Sequence, residues 1–159
     1  MSTSRSTLTN PSRRLPHLRL PAVDSGAEVP LIWRRTGPIL LFLHRRDCSV
    51  CRAYANEVAV AIDEISEWDG RPLIILPEDA DRSMQRAGGS QIPILEDRRQ
   101  RLTESLSITA PAIVIADQWG EIYERHEAGE GHDFRTPDEL VGWARTLATK
   151  CPECEGEAF

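Results

Sequence analysis

Residues 39–52 read Ile39-Leu40-Leu41-Phe42-Leu43-His44-Arg45-Arg46-Asp47-Cys48-Ser49-Val50-Cys51-Arg52, an apolar run followed by a Cys-x-x-Cys pair. Five consecutive apolar residues predict a strand that is buried on both faces. After Cys51 the apolar residues recur every three or four positions, which is the spacing of one helix face. They are Tyr54, Val58, Ala61, Ile62, Ile65 and Trp68. The sequence therefore predicts a buried strand that leads into a helix with both cysteines in its first turn.

The first turn of a helix is a favourable place for a reactive cysteine. Its N–H groups lack intrahelical partners and carry the positive end of the helix dipole, so they favour a thiolate over a thiol. Arg45, Arg46 and Arg52 add positive charge close to Cys48 in the sequence. Cys51 lies one helical turn further on, where it can attack a mixed disulfide formed at Cys48. The spacing thus predicts a dithiol/disulfide pair in which Cys48 attacks and Cys51 resolves.

Two other interpretations of the pair are possible from these residues. The cysteines could be structural and half-buried, or they could be half of a zinc site. Zinc knuckles usually occupy a turn between short strands, whereas here a predicted buried strand leads into an amphipathic helix. That setting favours a redox pair over both alternatives.

The run from Ile39 to Cys51, together with Thr109-Ala110-Pro111-Ala112-Ile113-Val114-Ile115, resembles the thioredoxin-fold superfamily. The layout from about Leu18 to Gly129 is similar to its redoxin branch, the thioredoxin-like proteins and peroxiredoxins related to alkyl hydroperoxide reductase. The resemblance implies an α/β fold with three layers, α/β/α, a mixed central sheet and an N-terminal β-hairpin. It also implies that Ala110 and Pro111 shape a substrate groove and that the peptide bond between them is cis.

The function that this resemblance implies is thiol-disulfide exchange. The substrate would be a protein or small-molecule disulfide, an external reductant would restore the dithiol, and no cofactor beyond the redox-active disulfide is expected. Two alternatives remain, a peroxiredoxin-like thiol peroxidase and a non-catalytic zinc-binding or adaptor protein. Peroxiredoxins have a threonine three residues and a proline seven residues before the peroxide-reactive cysteine, but those positions are Arg45 and Leu41 here. Thioredoxins usually have a buried aspartate six residues before the first cysteine, and that position is Phe42.

Length and composition indicate one soluble domain with two terminal extensions. The chain has 159 residues, 40% of them hydrophobic, and a formal net charge of −6. We expect a disordered extension at 1–16, a thioredoxin-like domain at 17–149 and a flexible tail at 150–159. The acidic body argues against nucleic acid as a partner, and no apolar run is long enough to span a membrane. A cytoplasmic location is therefore expected.

Local patterns predict the remaining elements. Turn residues between apolar runs predict two β-hairpins, one within 18–33 and one within 112–127. Thr136-Pro137-Asp138-Glu139 is a typical helix start, with threonine as the cap, proline at the first helical position and a capping-box glutamate. Asp69-Gly70 predicts the end of the cysteine-bearing helix, with the glycine in a left-handed cap. The predicted strands cover 18–20, 29–33, 72–76, 112–116 and 121–127. The segment Ile92-Pro93-Ile94-Leu95, followed by Asp97 and a short helix that carries Leu102 and Leu106, resembles the insert that separates redoxins from plain thioredoxins.

The C-terminal tail carries a second Cys-x-x-Cys, Cys151-Pro152-Glu153-Cys154, outside any apolar context. Three roles are open: an exposed second dithiol that exchanges with the first, a metal-binding tail, and no role. Zinc on Cys151 and Cys154 is not favoured, because a full site needs four ligands. The second dithiol is the preferred interpretation.

Histidines are the other candidates for chemistry. His44 lies four residues before Cys48 and could exchange a proton with the thiols, although a structural role is at least as common at such a position. His126 and His132 are expected to be solvent-exposed side chains in or after the second hairpin. His17 belongs to the N-terminal extension.

Overall fold

The structure is a computed structural model that describes residues 13–33, 37–78 and 91–150. This part of the chain contains seven strands and four α-helices. In order they are β1 (Arg19–Pro21), β2 (Glu28–Pro30), β3 (Ile39–Leu43), α1 (Ser49–Val60), α2 (Ile62–Glu67), β4 (Arg71–Pro77), β5 (Ile94–Asp97), a 3-10 turn (Arg98–Gln100), α3 (Arg101–Leu106), β6 (Ala112–Ala116), β7 (Ile122–Glu127) and α4 (Pro137–Ala148).

The central sheet has five strands in the order β5-β4-β3-β6-β7. Strands β3, β4 and β5 are parallel, whereas β6 is antiparallel to β3 and β7 is antiparallel to β6. Every residue of β3 is buried, as its unbroken apolar run predicts. The mixed sheet is the one that the sequence predicted.

Apolar residues cover both faces of this sheet. One face packs against α1, α2 and α4, and the other packs against α3 and the hairpin of β1 and β2. The protein therefore has the predicted three-layer α/β/α architecture. The hairpin is a separate two-stranded sheet that docks beside β5 through a bridge between Ala22 and Leu95.

The cysteine-bearing helix is interrupted at Ala61, where α1 ends and α2 begins. Its end differs from the prediction, because the left-handed residue is Asp69, with φ of 55°, and not Gly70. Gly70 is required for space instead: a Cβ there would lie 2.5 Å from Cγ2 and 2.8 Å from the carbonyl oxygen of Ile65. The glycine thus permits a close return of the chain into β4.

The folded region begins earlier than residue 17. Leu15 is buried, and its N–H donates to the carbonyl of Gly120 at 2.8 Å. Arg14 forms a β-bridge with Glu121 beside it. Residues 13–16, which their composition places in the extension, are therefore attached to the turn between β6 and β7. Residues 1–12 lie outside the described part of the chain.

Helix α4 begins as predicted, with a reciprocal capping box. The Glu139 N–H donates to Thr136 Oγ1 at 3.3 Å, and the Thr136 N–H donates to Glu139 Oε2 at 3.0 Å.

Among the described helices, none combines the length and apolarity needed to cross a bilayer.

The register of the sheet brings three connections to the same end of its strands, the end at which β3 finishes. Ala112 pairs with Leu43 of β3 on one side and with Glu127 of β7 on the other. The segment after β3, the segment before β6 and the segment after β7 therefore emerge together. They carry the cysteine pair, Pro111 and His132, which is why the candidate site lies at this end of the sheet.

Candidate active site

Cys48 is the N-cap residue of α1. Its Sγ accepts a hydrogen bond from the N–H of Cys51 at 3.2 Å, so the sulfur caps an otherwise unpaired donor of the first turn. The two cysteines carry free thiols, and Cys48 is 8% exposed whereas Cys51 is fully buried. The sulfur that a substrate can reach is thus that of Cys48.

Burial separates the two thiols chemically. It raises the pKa of Cys51 to about 12, with a further contribution from the hydrogen bond and charge of Cys48, and Arg45 opposes this rise. At neutral pH Cys51 therefore keeps its proton. This is the property expected of a thiol that reacts second, after a bond has formed at its neighbour.

The histidine that contacts a thiol is His132. Its Nε2 lies 3.3 Å from Cys48 Sγ, and its Nδ1 lies 3.0 Å from the carbonyl oxygen of Glu130. Because a carbonyl only accepts hydrogen bonds, Nδ1 must carry a hydrogen, which leaves the Nε2 lone pair of the neutral ring facing the sulfur. His132 is thus placed to accept the proton of the Cys48 thiol. The sequence prediction of a solvent-exposed His132 was wrong, since the ring is half-buried against the cysteine.

Aromatic packing holds the loop that carries His132. Tyr54 of α1 stacks on Phe134 with ring centroids 4.3 Å apart, and Phe134 lies 6.0 Å from the His132 ring. The Tyr54 hydroxyl donates to the carbonyl of Arg135 at 2.5 Å, and His126 contacts the carbonyl of Asp133. The loop is therefore attached to the same helix whose N-terminal end carries the cysteines.

The bond between Ala110 and Pro111 is cis, as predicted. The carbonyl of Pro111 accepts the N–H of Ala128 at 2.9 Å, and the N–H of Asp133 donates to the carbonyl of Ala128 at 3.1 Å. Pro111 is buried and Ala110 is half-buried. The proline segment and the loop that carries His132 thus form one hydrogen-bonded unit at this end of the sheet.

His44 makes no hydrogen bond to either thiol. It is buried at the end of β3, and neither ring nitrogen has a hydrogen-bond partner among the described residues. Burial lowers the pKa of its side chain to about 4, so the ring is neutral at pH 7. It lines a cleft of about 450 Å³ whose wall also includes Arg46, Asp97 and Ala110. The sequence suggests His44 as the histidine that exchanges a proton with the thiols, but the histidine in contact with Cys48 is His132.

One group of described residues could hold a metal ion. The ligand atoms of Cys48, Cys51 and His132 all lie within 4.8 Å of one another. Cys151 and Cys154, the second predicted dithiol, lie outside the described residues.

The sequence offered little signal for His132. It lies in the glycine-rich segment Gly129-Glu130-Gly131-His132, which is typical of an exposed loop. Its approach to Cys48 depends on the docking of this loop on Tyr54, a contact between residues 80 positions apart. The one usable signal was the predicted hairpin of strands 112–116 and 121–127, whose pairing places the segment after β7 beside Pro111.

Comparison with known proteins gives structural similarity only. No protein-family model and no curated protein matches this sequence. The chain is similar to a solved structure of the thioredoxin domain of a thiol-disulfide oxidoreductase from Bacteroides vulgatus, with a TM-score of 0.68 and 16% identity over 87% of this chain and 98% of that one. It is also similar to a secreted disulfide oxidoreductase from Mycobacterium tuberculosis, with a TM-score of 0.63 and 18% identity over 82% and 96% of the two chains.

A third solved structure is a peroxidoxin, BcpB from Mycobacterium tuberculosis, with a TM-score of 0.67 and 14% identity over 85% of this chain and 97% of that one. At these identities the similarity establishes the fold. The sheet order, the cis-proline and the cysteine pair at a helix start agree with it. The chain therefore has a thioredoxin-like fold, the fold of these solved structures.

Proposed function

We propose that this protein catalyses thiol-disulfide exchange through Cys48 and Cys51. The observation that carries the proposal is the position of Cys48 Sγ, which lies between the Cys51 N–H at 3.2 Å and His132 Nε2 at 3.3 Å. One contact stabilises a thiolate and the other accepts its proton. A cysteine with both contacts, which at 8% exposure is the more accessible of the pair, is suited to nucleophilic attack.

The reaction would transfer two electrons to the substrate. The Cys48 thiolate attacks one sulfur of a substrate disulfide, forming a mixed disulfide and expelling a substrate thiolate. Cys51 then attacks the Cys48 sulfur as its proton passes to the departing substrate sulfur, which releases the second substrate thiol and forms the Cys48–Cys51 disulfide. The substrate is reduced and the protein dithiol is oxidised. An external dithiol reductant would restore the Cys48/Cys51 dithiol. Cys151 with Cys154 remain a candidate relay for the electrons that this reductant supplies.

The substrate would be an extended segment that carries the disulfide. Ala110 precedes Pro111 just before β6 begins, where its backbone groups can pair with such an extended segment. Val50 lies between the two cysteines and is 46% exposed, which offers an apolar contact beside Cys48. These features support protein disulfides as substrates, alongside small-molecule disulfides.

Replacing His132 with alanine should slow the attack of Cys48. A free cysteine is only about 3% thiolate at pH 7, so a proton acceptor can raise its reactivity by at most about 30-fold. We expect the rate constant for alkylation of Cys48 by iodoacetamide at pH 7 to fall by about 3- to 30-fold in His132→Ala. The exposed His17→Ala is the matched control and should leave the rate unchanged. An unchanged rate in the His132 variant would remove the proton-acceptor role.

Activity on three substrates tests the proposed function. With dithiothreitol as reductant, the full-length protein should accelerate the reduction of insulin disulfides and of oxidised glutathione above the rate of dithiothreitol alone. Protein alkylated with iodoacetamide is the control. No acceleration of either disulfide would refute the proposal. Rapid, Cys48-dependent consumption of hydrogen peroxide would instead favour the peroxidase alternative, which the residues Arg45 and Leu41 disfavour.

A further inference from the structure

The three ligand atoms at the cysteine pair have the chemistry of a zinc site. Two thiolates and one imidazole are ligands that Zn²⁺ prefers, at about 2.3 Å for sulfur and about 2.0–2.1 Å for nitrogen. In a tetrahedral site these lengths place neighbouring ligand atoms about 3.5–3.8 Å apart. The atoms of Cys48, Cys51 and His132 lie within 4.8 Å of one another, and the sulfur of Cys48 lies 3.3 Å from the His132 nitrogen. Shifts of about 1 Å or less would complete the geometry.

The second ring nitrogen of His132 is already fixed as in metal-binding histidines. Such residues donate the hydrogen of their other nitrogen to a carbonyl or carboxylate, which orients the ring and holds the tautomer. Here Nδ1 donates to the carbonyl of Glu130 at 3.0 Å, and Nε2 faces Cys48. Packing against Phe134 restricts the ring further.

Charge and burial also favour a cation between the two sulfurs. Cys48 and Cys51 are both buried, and the described ion pairs near them lie at the surface, such as Arg45 with Glu130 at 3.9 Å. Two thiolates at such a position would repel each other, and the single positive charge of Arg45 would offset their two negative charges only in part. A divalent cation neutralises both of them. Three protein ligands leave the fourth tetrahedral position open to water or to a thiol.

We propose that the reduced protein binds one Zn²⁺, or a similar thiophilic divalent cation, through Cys48, Cys51 and His132. Binding releases two protons as two thiols become two metal-bound thiolates. Formation of the Cys48–Cys51 disulfide removes both sulfur ligands, so the site exists only in the dithiol form. The metal would therefore protect the dithiol from oxidation and block its reaction with substrates.

The proposal has a thermodynamic consequence for the redox pair. A ligand that binds only the reduced form stabilises it by mass action. Each tenfold rise in free Zn²⁺ above the dissociation constant should raise the reduction potential of the pair by about 30 mV, because a tenfold change in a two-electron equilibrium corresponds to that value. Zinc in the medium would thus shift the protein toward its reduced, metal-bound form.

Titration with Co²⁺, a spectroscopic substitute for Zn²⁺, tests the site without measuring activity. The protein used is the full chain with Cys151→Ser and Cys154→Ser, which removes the other two cysteines. Once reduced, it should bind one Co²⁺ with the visible absorption of a tetrahedral ion and the near-ultraviolet absorption of a cobalt–thiolate bond. Zn²⁺ should displace it, and the oxidised protein should bind none.

His132 provides the decisive variants. His132→Ala and His132→Gln should weaken Co²⁺ binding by at least about tenfold, while His17→Ala should not change it. Circular dichroism on each variant checks that the fold is retained, and the second variant serves if the first does not fold. Full-strength binding in both folded His132 variants would overturn the proposal. So would loss of binding when only Cys151 and Cys154 are replaced, because the metal would then belong to the tail.

Discussion

Replacing Cys51 with serine is expected to stop the reaction at a covalent mixed disulfide between Cys48 and its substrate. A serine hydroxyl cannot attack the Cys48 sulfur and form a disulfide, so the second step is lost while the first is retained. Turnover should fall to the rate of the external reductant alone. Up to one substrate per chain should remain attached, and excess dithiothreitol should release it. Non-reducing mass spectrometry measures the adduct.

The matched control is Cys48→Ser, which should lose turnover equally but trap no substrate. Each variant should also be made with Cys151→Ser and Cys154→Ser, because a tail dithiol that reaches the site could resolve the adduct in place of Cys51. A larger yield of adduct without the tail cysteines would support the proposed electron relay. Equal residual turnover in Cys48→Ser and Cys51→Ser, with no adduct in either, would contradict the assigned roles.

Lowering the pH should destabilise the protein through His44. The pKa of this side chain is 6.5 ordinarily and about 4 in the folded state, because burial disfavours the charged ring. Between these values the unfolded chain binds a proton that the folded chain does not, so the free energy of unfolding falls as the pH falls. At about 1.4 kcal/mol for each pH unit between the two values, the loss is about 3 kcal/mol between pH 7 and below pH 4. Above pH 6.5 this contribution is complete.

Urea unfolding of His44→Gln measures this contribution by difference. Carboxylates also titrate in the same range, so the comparison is between variants and not between pH values alone. The free energy of unfolding of His44→Gln should depend less on pH than that of the unmodified protein, by about 3 kcal/mol over the window. His17→Gln replaces an exposed histidine and should keep the full dependence. Parallel curves for the unmodified protein and His44→Gln would show that His44 does not remain neutral in the folded state.

The elements near the cysteine pair could be predicted because their signals are local. Five apolar residues in β3 and the helical spacing after Cys51 lie within one stretch of the chain, and the structure confirms both. The capping box at Thr136 is equally local. The cis-proline required more than local pattern, since it was inferred from family resemblance and the position of Pro111 at a strand start.

The features that sequence reasoning missed depend on contacts between distant segments. His132 meets Cys48 across 84 positions, through a loop held by Tyr54 and Phe134. His44 was the nearer histidine in sequence, but the register of β3 buries its ring beside the cleft and not against a thiol. Leu15 lies in a segment with the composition of an extension, yet one buried leucine and one bridge suffice to attach it to the domain.

The redox equilibrium of the Cys48–Cys51 pair tests the central claim most directly. The chain with Cys151→Ser and Cys154→Ser would be equilibrated in dithiothreitol buffers of graded potential without zinc, quenched by alkylation and digested. We predict a peptide with an internal Cys48–Cys51 disulfide that appears in one two-electron transition, with a slope of about 30 mV per tenfold change in the ratio of oxidised to reduced protein. A pair that forms no internal disulfide at any potential would contradict the account.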